Sequence, residues 1–207
     1  MGEIPGAIPL AILTALRDLD MPDDRDELGL SHQSLNLRRR LGLSRVVLNQ
    51  IRRYEAERED VTADEVVSLF RLVARRTDAA AIFEAAGHGI ARVSMRNRGF
   101  GRGIAARLLP LRLRRWRAWK WSGRIARRLC PDSPVRVAKG SRALEIEGGL
   151  PAHATDCGHG CALLVGLIDE VLEQYRATGP RIVHSRCEAR GEDLCVWAYD
   201  ETGTIAS

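Results

Sequence analysis

The last third of the chain contains the pattern that most constrains its fold. Residues 161–179, CALLVGLIDEVLEQYRATG, place apolar side chains at helical spacing and end near Gly179, which predicts a helix packed on a sheet. Two segments of alternating apolar and polar residues follow, RIVHSRCEA and LCVWAY, and the turn residues RGED separate them. This arrangement predicts a β-hairpin after the helix.

A second pair of predicted strands precedes that helix. VRVAKG and RALEIEGG alternate with period two, which indicates two strands joined at Lys139 and Gly140. Upstream, residues 4–87 carry apolar residues mainly at helical spacing. The fold class expected is therefore α+β, with N-terminal helices packed on an antiparallel four-stranded sheet.

Two local signals predict helix boundaries in the N-terminal part. Thr62 and Glu65 form a capping-box pattern, which predicts that a helix begins after Thr62. The short segment DAAAIFEAAG, residues 78–87, predicts a further helix that ends at Gly87, as a glycine following a helix C-terminus would end it.

Cysteine placement indicates chemistry in the C-terminal hairpin. The chain has five cysteines and no export signal or membrane span, so we expect reduced thiols and a cytoplasmic location. Cys187 and Cys195 flank the hairpin turn and Cys161 begins the preceding helix, which brings three thiols towards one corner. They are candidate ligands of a structural zinc ion, and the alternative is that they are buried core cysteines.

The span from about Val135 to Tyr199, with GHGCALLVGLIDEVLEQY and HSRCEARGEDLCVW, resembles the 4-vinyl reductase domain family, a relative of the Bet3-like trafficking domains. The family includes a protein assigned to bacteriochlorophyll 4-vinyl reduction and the sensor domains of phenol- and xylene-responsive activators. The resemblance implies a Bet3-like α/β plait and a homodimer. In the sensor branch three cysteines and a glutamate hold zinc, and Cys161, Cys187 and Cys195 match those cysteines in order and spacing.

The fourth ligand differs from that family pattern. His184 stands where the sensors have glutamate, and histidine is an acceptable zinc ligand. Residues 184 and 187 face opposite sides of a regular strand, so a bulge or an irregular strand end is needed. Cys157 and His159 are the rival fourth ligands. Zinc with four protein ligands would be structural, and an iron–sulfur cluster is disfavoured because no compact run of cysteines occurs.

The middle of the chain is basic and rich in tryptophan. No acidic residue occurs between Glu84 and Asp132, while thirteen Arg or Lys residues fall between Arg92 and Arg128, which predicts an anionic partner or ligand. The tryptophans beside these cations are compatible with a pocket for a flat, apolar anion, but taken alone they favour an amphipathic helix with solvated arginines. The resemblance implies an aromatic or tetrapyrrole-like ligand, with these candidate contacts: His88, Trp116, Trp119 and Trp121.

Three functions are compatible with these features. The first is a small-molecule-binding module with a structural zinc site, formed by residues 85–207, with the helical region 1–84 in the same domain. The second, from the resemblance, is an enzyme or accessory protein in 4-vinyl reduction of a bacteriochlorophyll precursor. No catalytic residue is predicted, because GRGIAA at 101–106 does not follow a strand and no other nicotinamide or flavin motif occurs.

The third function is a DNA-binding transcriptional regulator. Residues 36–55, NLRRRLGLSRVVLNQIRRYE, imitate a helix-turn-helix with Gly42 in the turn. The apolar residues of the second helix leave few positions for base contacts, and the acidic residues from Glu55 to Asp60 would repel phosphate. Two packed helices of one domain explain the stretch equally well.

Overall fold

The computed structural model describes residues 3–20, 49–55, 61–96, 109–138, 143–155, 158–177 and 179–200. Besides a helical segment at 49–55, these residues form the following elements in chain order: β1 (Glu3–Ile4), α1 (Ala7–Asp20), β2 (Val61–Thr62), α2 (Ala63–Ala74), α3 (Ala79–Arg96), α4 (Leu111–Leu129), β3 (Val135–Val137), β4 (Leu144–Ile146), α5 (Leu150–His153), α6 (Ala162–Gln174), β5 (Ile182–Arg186) and β6 (Cys195–Tyr199).

The main sheet is antiparallel with strand order β3-β4-β6-β5. Ile146 pairs with Cys195 and Leu144 pairs with Trp197, so β4 of the first strand pair lies directly beside β6 of the C-terminal hairpin. A separate two-stranded sheet joins β1 to β2. The predicted α+β class, with helices N-terminal to a four-stranded antiparallel sheet, is confirmed. The predicted turn at Lys139 and Gly140 lies outside the described residues.

Helices α3 and α6 approach one another at backbone distance. A Cβ atom added to Gly87 on α3 would lie 2.0 Å from the carbonyl oxygen of Leu163 on α6. In the reciprocal contact, a Cβ at Gly166 would lie 2.0 Å from the carbonyl oxygen of Glu84. The expectation that Gly87 ends a helix is therefore wrong, since α3 continues to Arg96. Gly87 is needed for close helix packing and not for a left-handed C-terminal turn.

The N-terminal helices are anchored by caps and ion pairs. The Thr62 hydroxyl accepts a hydrogen bond from the Glu65 backbone N–H at 3.4 Å, which confirms the predicted start of α2. Arg76, after α2, binds Asp20 at the end of α1 (2.7 Å) and Asp78 before α3 (2.8 Å). These contacts hold the ends of three helices together.

Helix α4 covers the sheet with one face. Trp119 is 1% exposed and meets Tyr199 of β6 edge to face, with ring centroids 5.6 Å apart. A Cβ at Gly123 would lie 2.7 Å from Val137 of β3, so the helix lies close to the strand there. One buried apolar core joins α1, α2, α3, α4, α6 and the main sheet. The division at residue 84 remains a prediction.

Candidate metal centre

Four potential metal ligands converge at the sheet edge where α6 begins. Cys161 ends a 3₁₀ turn before α6, His184 lies on β5, Cys187 follows β5 and Cys195 begins β6. One ligand atom from each residue lies within 4.8 Å of all the others, and the Sγ atoms of Cys161 and Cys195 are 4.0 Å apart. All three cysteines are at most 1% exposed.

A strand irregularity allows His184 and Cys187 to face the same point. The β5–β6 register shifts between His184 and Arg186, because His184 pairs with Trp197 while Arg186 pairs with the adjacent Val196. In a regular strand, side chains three positions apart face opposite sides of the sheet. The irregularity expected from strand parity is therefore present, and it turns Cys187 towards the imidazole.

The hairpin turn provides backbone support for the thiols. The Cys187 carbonyl accepts hydrogen bonds from Arg190 N at 3.0 Å and Glu192 N at 3.2 Å, which closes a short 3₁₀ turn. The backbone N–H of Glu188 approaches the Cys195 sulfur at 3.5 Å. A backbone donor to sulfur favours the thiolate over the neutral thiol, which is the form that binds metal.

Trp197 links the histidine to the first cysteine. Its ring stacks on His184 with centroids 4.7 Å apart and planes 13° apart, while its indole N–H donates to the Cys161 carbonyl at 3.0 Å. The Nε2 atom of His184 is buried and has no hydrogen-bond partner. Burying a polar atom without a partner is costly, so this nitrogen is where a metal ion would relieve an unfavourable contact.

The thiols differ in their protonation. The hydrogen bond with the Cys161 thiol lowers the pKa of Cys195 to about 4, against the opposing effect of burial. The same hydrogen bond, together with burial, raises the pKa of Cys161 well above its usual range. Without metal, the shared hydrogen bond therefore favours the thiolate form of Cys195 and the thiol form of Cys161. Because a metal ion binds thiolates, metal binding by the three cysteines would release protons.

The spacing fits a tetrahedral ion. With zinc–sulfur bonds of about 2.3 Å, two thiolates of a tetrahedral site lie about 3.8 Å apart. The 4.0 Å between Cys161 and Cys195 is close to this value, and the longest ligand separation of 4.8 Å requires a contraction of roughly 1 Å. The residues present therefore fit a zinc ion once the ligands contract by that amount.

Two glycines before Cys161, for which the sequence carried no prediction, also shape the site. Gly158 has φ +69°, and a Cβ there would lie 2.7 Å from the Cys187 sulfur. A Cβ at Gly160 would lie 2.6 Å from the Pro151 carbonyl oxygen. In the sequence, these glycines are visible only as the GHGC motif immediately before α6. His159, one rival fourth ligand, is exposed and lies outside the cluster, and the other, Cys157, lies outside the described residues.

The four candidate ligand contacts occupy different environments. Trp119 is buried against the sheet, whereas Trp116 is 56% exposed with the Lys120 ammonium 4.8 Å from its ring centre. Trp121 is half-buried beside Arg124. His88 lies on α3, where its Nδ1 is 3.2 Å from the buried Glu170 carboxylate. The structure does not place Trp116 and Trp119 on one common surface.

Glu170 is the buried centre of a polar cluster between α3 and α6. Arg92 donates to its carboxylate at 2.9 Å and Gln174 donates at 2.8 Å. Burial alone would raise the pKa of Glu170, but the hydrogen bonds from Arg92, Gln174 and His88 outweigh burial and hold it below its usual range. The cluster therefore carries an ionised carboxylate at neutral pH, and it orients His88.

The possible DNA-binding segment is only partly described. Residues 36–48 lie outside the described residues, and 49–55 are helical with Ile51 and Tyr54 buried and Arg52 and Arg53 exposed. Within the described ranges, no helix has the length and apolar character needed to cross a bilayer.

A scan against models of known protein families found no match to this chain. Searches of curated proteins and of solved structures also found none. The functional assignment therefore depends on the geometry of the cysteine–histidine cluster and on the sequence resemblance.

Proposed function

We propose that this chain is a small-molecule-binding domain of the 4-vinyl reductase type, with a structural zinc ion held by Cys161, His184, Cys187 and Cys195. The observation that carries the zinc proposal is that a ring nitrogen of His184 lies within 4.8 Å of three buried sulfurs, while the buried Nε2 of the same ring has no hydrogen-bond partner. Cysteines alone are compatible with a thiol core, since thiols are tolerated in apolar surroundings. A thiol core does not explain a buried imidazole nitrogen that has no hydrogen-bond partner.

The donor set supports zinc as the ion. Three thiolates and one imidazole form a soft to borderline set, and zinc is the usual occupant of tetrahedral sites of this composition. All four positions are filled by the protein, which leaves no open position for a reacting water or substrate. The proposed role is to join the hairpin to the start of α6.

Metal analysis of the purified full-length chain tests this proposal. We expect about one zinc per chain in the wild type and near loss in Cys187→Ser. Cys130→Ser is the matched control, because Cys130 is also buried (2% exposed) but lies outside the cluster. Cobalt substitution should give thiolate charge-transfer absorption that Cys187→Ser loses.

Chelation provides a measurement that does not depend on a folded variant. A ligand present at a thousand times its Kd stabilises the folded state by about 4 kcal/mol, so metal removal should lower the Tm by roughly 8–16 °C. An unchanged Tm after complete removal of metal, or full zinc content in Cys187→Ser, would refute the structural zinc site.

The ligand proposal rests on the sequence resemblance and on the basic, tryptophan-rich α4. Trp116 and Trp121 each lie beside a cation, at 4.8 Å and 5.7 Å from the ring centre. A planar apolar molecule with a carboxylate suits such pairs, because the rings provide stacking surface and the cations pair with the acid. His88 and Trp119 remain the other candidate contacts.

Titration tests the ligand separately from the metal. The zinc-loaded protein is titrated with a carboxylated porphyrin and with a simple phenol, and tryptophan quenching is followed. We expect saturable binding of one of them, weakened about tenfold in Trp121→Phe by loss of stacking. Absence of saturable binding of both probes would refute the ligand proposal and would leave the zinc site untouched.

A further inference from the structure

The solvent face of α4 combines a dense positive charge with exposed apolar side chains. At 3.6 residues per turn, its exposed residues after Arg112 fall within an arc of about 120°. They are Leu113, Trp116, Arg117, Lys120, Arg124, Arg127 and Arg128, and this set is named the α4 basic face. Trp116 is 56% and Leu113 is 46% exposed. The opposite side of the helix is buried in the core.

The positive charge of this face is not neutralised within the helix. No acidic residue occurs between Glu84 and Asp132. Lys120 lies over the Trp116 ring, Arg124 lies near Trp121, and Arg127 donates to the Val135 carbonyl at 3.3 Å. These contacts orient the cations without cancelling their charge, so the face attracts an external anion.

The helix lies flat against the body of the protein. Its 19 residues extend for roughly 28 Å at 1.5 Å per residue, and the buried side includes Trp119, Ile125 and Leu129. The cations and the two apolar side chains therefore share one elongated surface. A partner must accept positive charge and apolar groups together over this length.

We propose that the α4 basic face docks on an anionic lipid bilayer, with the helix parallel to the membrane plane. Lipid headgroups pair with Arg117, Lys120 and Arg124, while Trp116 and Leu113 enter the boundary between headgroups and acyl chains. Tryptophan is favoured at that depth. Nucleic-acid phosphates would pair with the same cations but would leave Leu113 in water. The proposal does not depend on the zinc site. It shares Trp116, Lys120 and Arg124 with the proposed small-molecule contacts, but docking on lipid requires no bound small molecule.

Vesicle binding by the full-length protein tests the proposal. The vesicles are phosphatidylcholine alone or phosphatidylcholine with about a third phosphatidylserine. We expect binding to the anionic vesicles only, decreasing with salt. Replacing Arg117, Lys120 and Arg124 by glutamine should weaken binding to the anionic vesicles about a hundredfold.

The matched control replaces the exposed Arg52, Arg71 and Arg75 by glutamine. It removes the same net charge and should leave binding within a factor of about three, as expected for distant charges screened by salt.

Tryptophan fluorescence reports the depth of insertion. Trp119 and Trp197 are each 1% exposed, so they should change little on vesicle addition. We expect a blue shift that Trp116→Phe abolishes and Trp121→Phe retains. Three results would overturn the proposal: no binding to anionic vesicles, equal weakening in both triple variants, or tighter binding to duplex DNA than to these vesicles at the same salt.

Discussion

Substitution of Gly87 by alanine should destabilise the protein, although alanine is the better helix former. In an open helix interior, Gly→Ala is worth up to about 1 kcal/mol in favour of alanine. At Gly87 the new Cβ would lie 2.0 Å from the Leu163 oxygen and 2.7 Å from the Leu167 nitrogen. Ordinary contacts of such atoms are about 3.5 Å, so α3 and α6 would have to separate by roughly 1.5 Å.

The expected loss is about 3 kcal/mol. Overpacking costs about 1–3 kcal/mol when side chains can adjust, and here both contacting atoms belong to helix backbones. For a chain of this length, that loss corresponds to a Tm decrease of roughly 6–12 °C. Helix α6 begins directly after Cys161, so separation of the helices should also weaken metal binding.

Urea denaturation of the zinc-loaded protein measures this effect, with the m value compared to establish that the unfolding transition is unchanged. Gly89→Ala is the control on the same helix, because the nearest atom outside the helix, the Ala11 Cβ at 3.7 Å, leaves room for a methyl group. That variant should gain up to about 1 kcal/mol. Equal stability of Gly87→Ala and the wild type would show that the two helices do not pack at backbone distance.

Two further predictions concern the metal centre and the polar cluster around Glu170. Gly158→Ala should lower zinc affinity by about 10- to 100-fold, because its Cβ would meet the Cys187 sulfur at 2.7 Å. Gly191→Ala is the control, because Gly191 also has a positive φ but a Cβ there would have no other atom within 4 Å. It should cost about 1–2 kcal/mol of stability without changing zinc affinity in a chelator competition. Equal losses of zinc affinity in the two variants would contradict the contact between Gly158 and the Cys187 sulfur. Glu170→Gln should cost about 1–3 kcal/mol at neutral pH, because the carboxylate accepts charged hydrogen bonds. The pKa of Glu170 in the folded state is below the unfolded value of about 4.3, so the stability difference between the wild type and Glu170→Gln should shrink as pH falls through the carboxyl range. A difference in unfolding free energy that stays constant down to about pH 3 would argue against an ionised Glu170.

Much of the fold followed from local patterns. Alternation with period two located the strands on both sides of α6, and the Thr62–Glu65 pattern located the start of α2. These signals are local because hydrogen bonds and side-chain direction within a strand or helix depend on residues a few positions apart. The proximity of Cys187 and Cys195 also followed from a local signal, the hairpin turn, whereas the approach of Cys161 requires the packing of α6 on the hairpin.

Other features depend on contacts between segments that are distant in the chain. The local sequence around Gly87 is typical of a helix end, yet in space Gly87 lies against the backbone of Leu163. Only the packing of α3 on α6 explains why a glycine is needed there. Likewise, the three tryptophans of α4 are similar in sequence context, while the sheet buries Trp119 and leaves Trp116 exposed.

At the metal centre, His184 also depends on both local sequence and long-range contacts. Its residue type made it a candidate ligand, but strand parity argued against it until the register shift between His184 and Arg186 turned Cys187 to the same side. The stacking of His184 on Trp197 then holds the imidazole beside the sulfurs. Residue type and spacing thus identify the possible ligands, because these are properties of the chain. Their convergence depends on sheet pairing and core packing, because these arise from long-range contacts that no local pattern records.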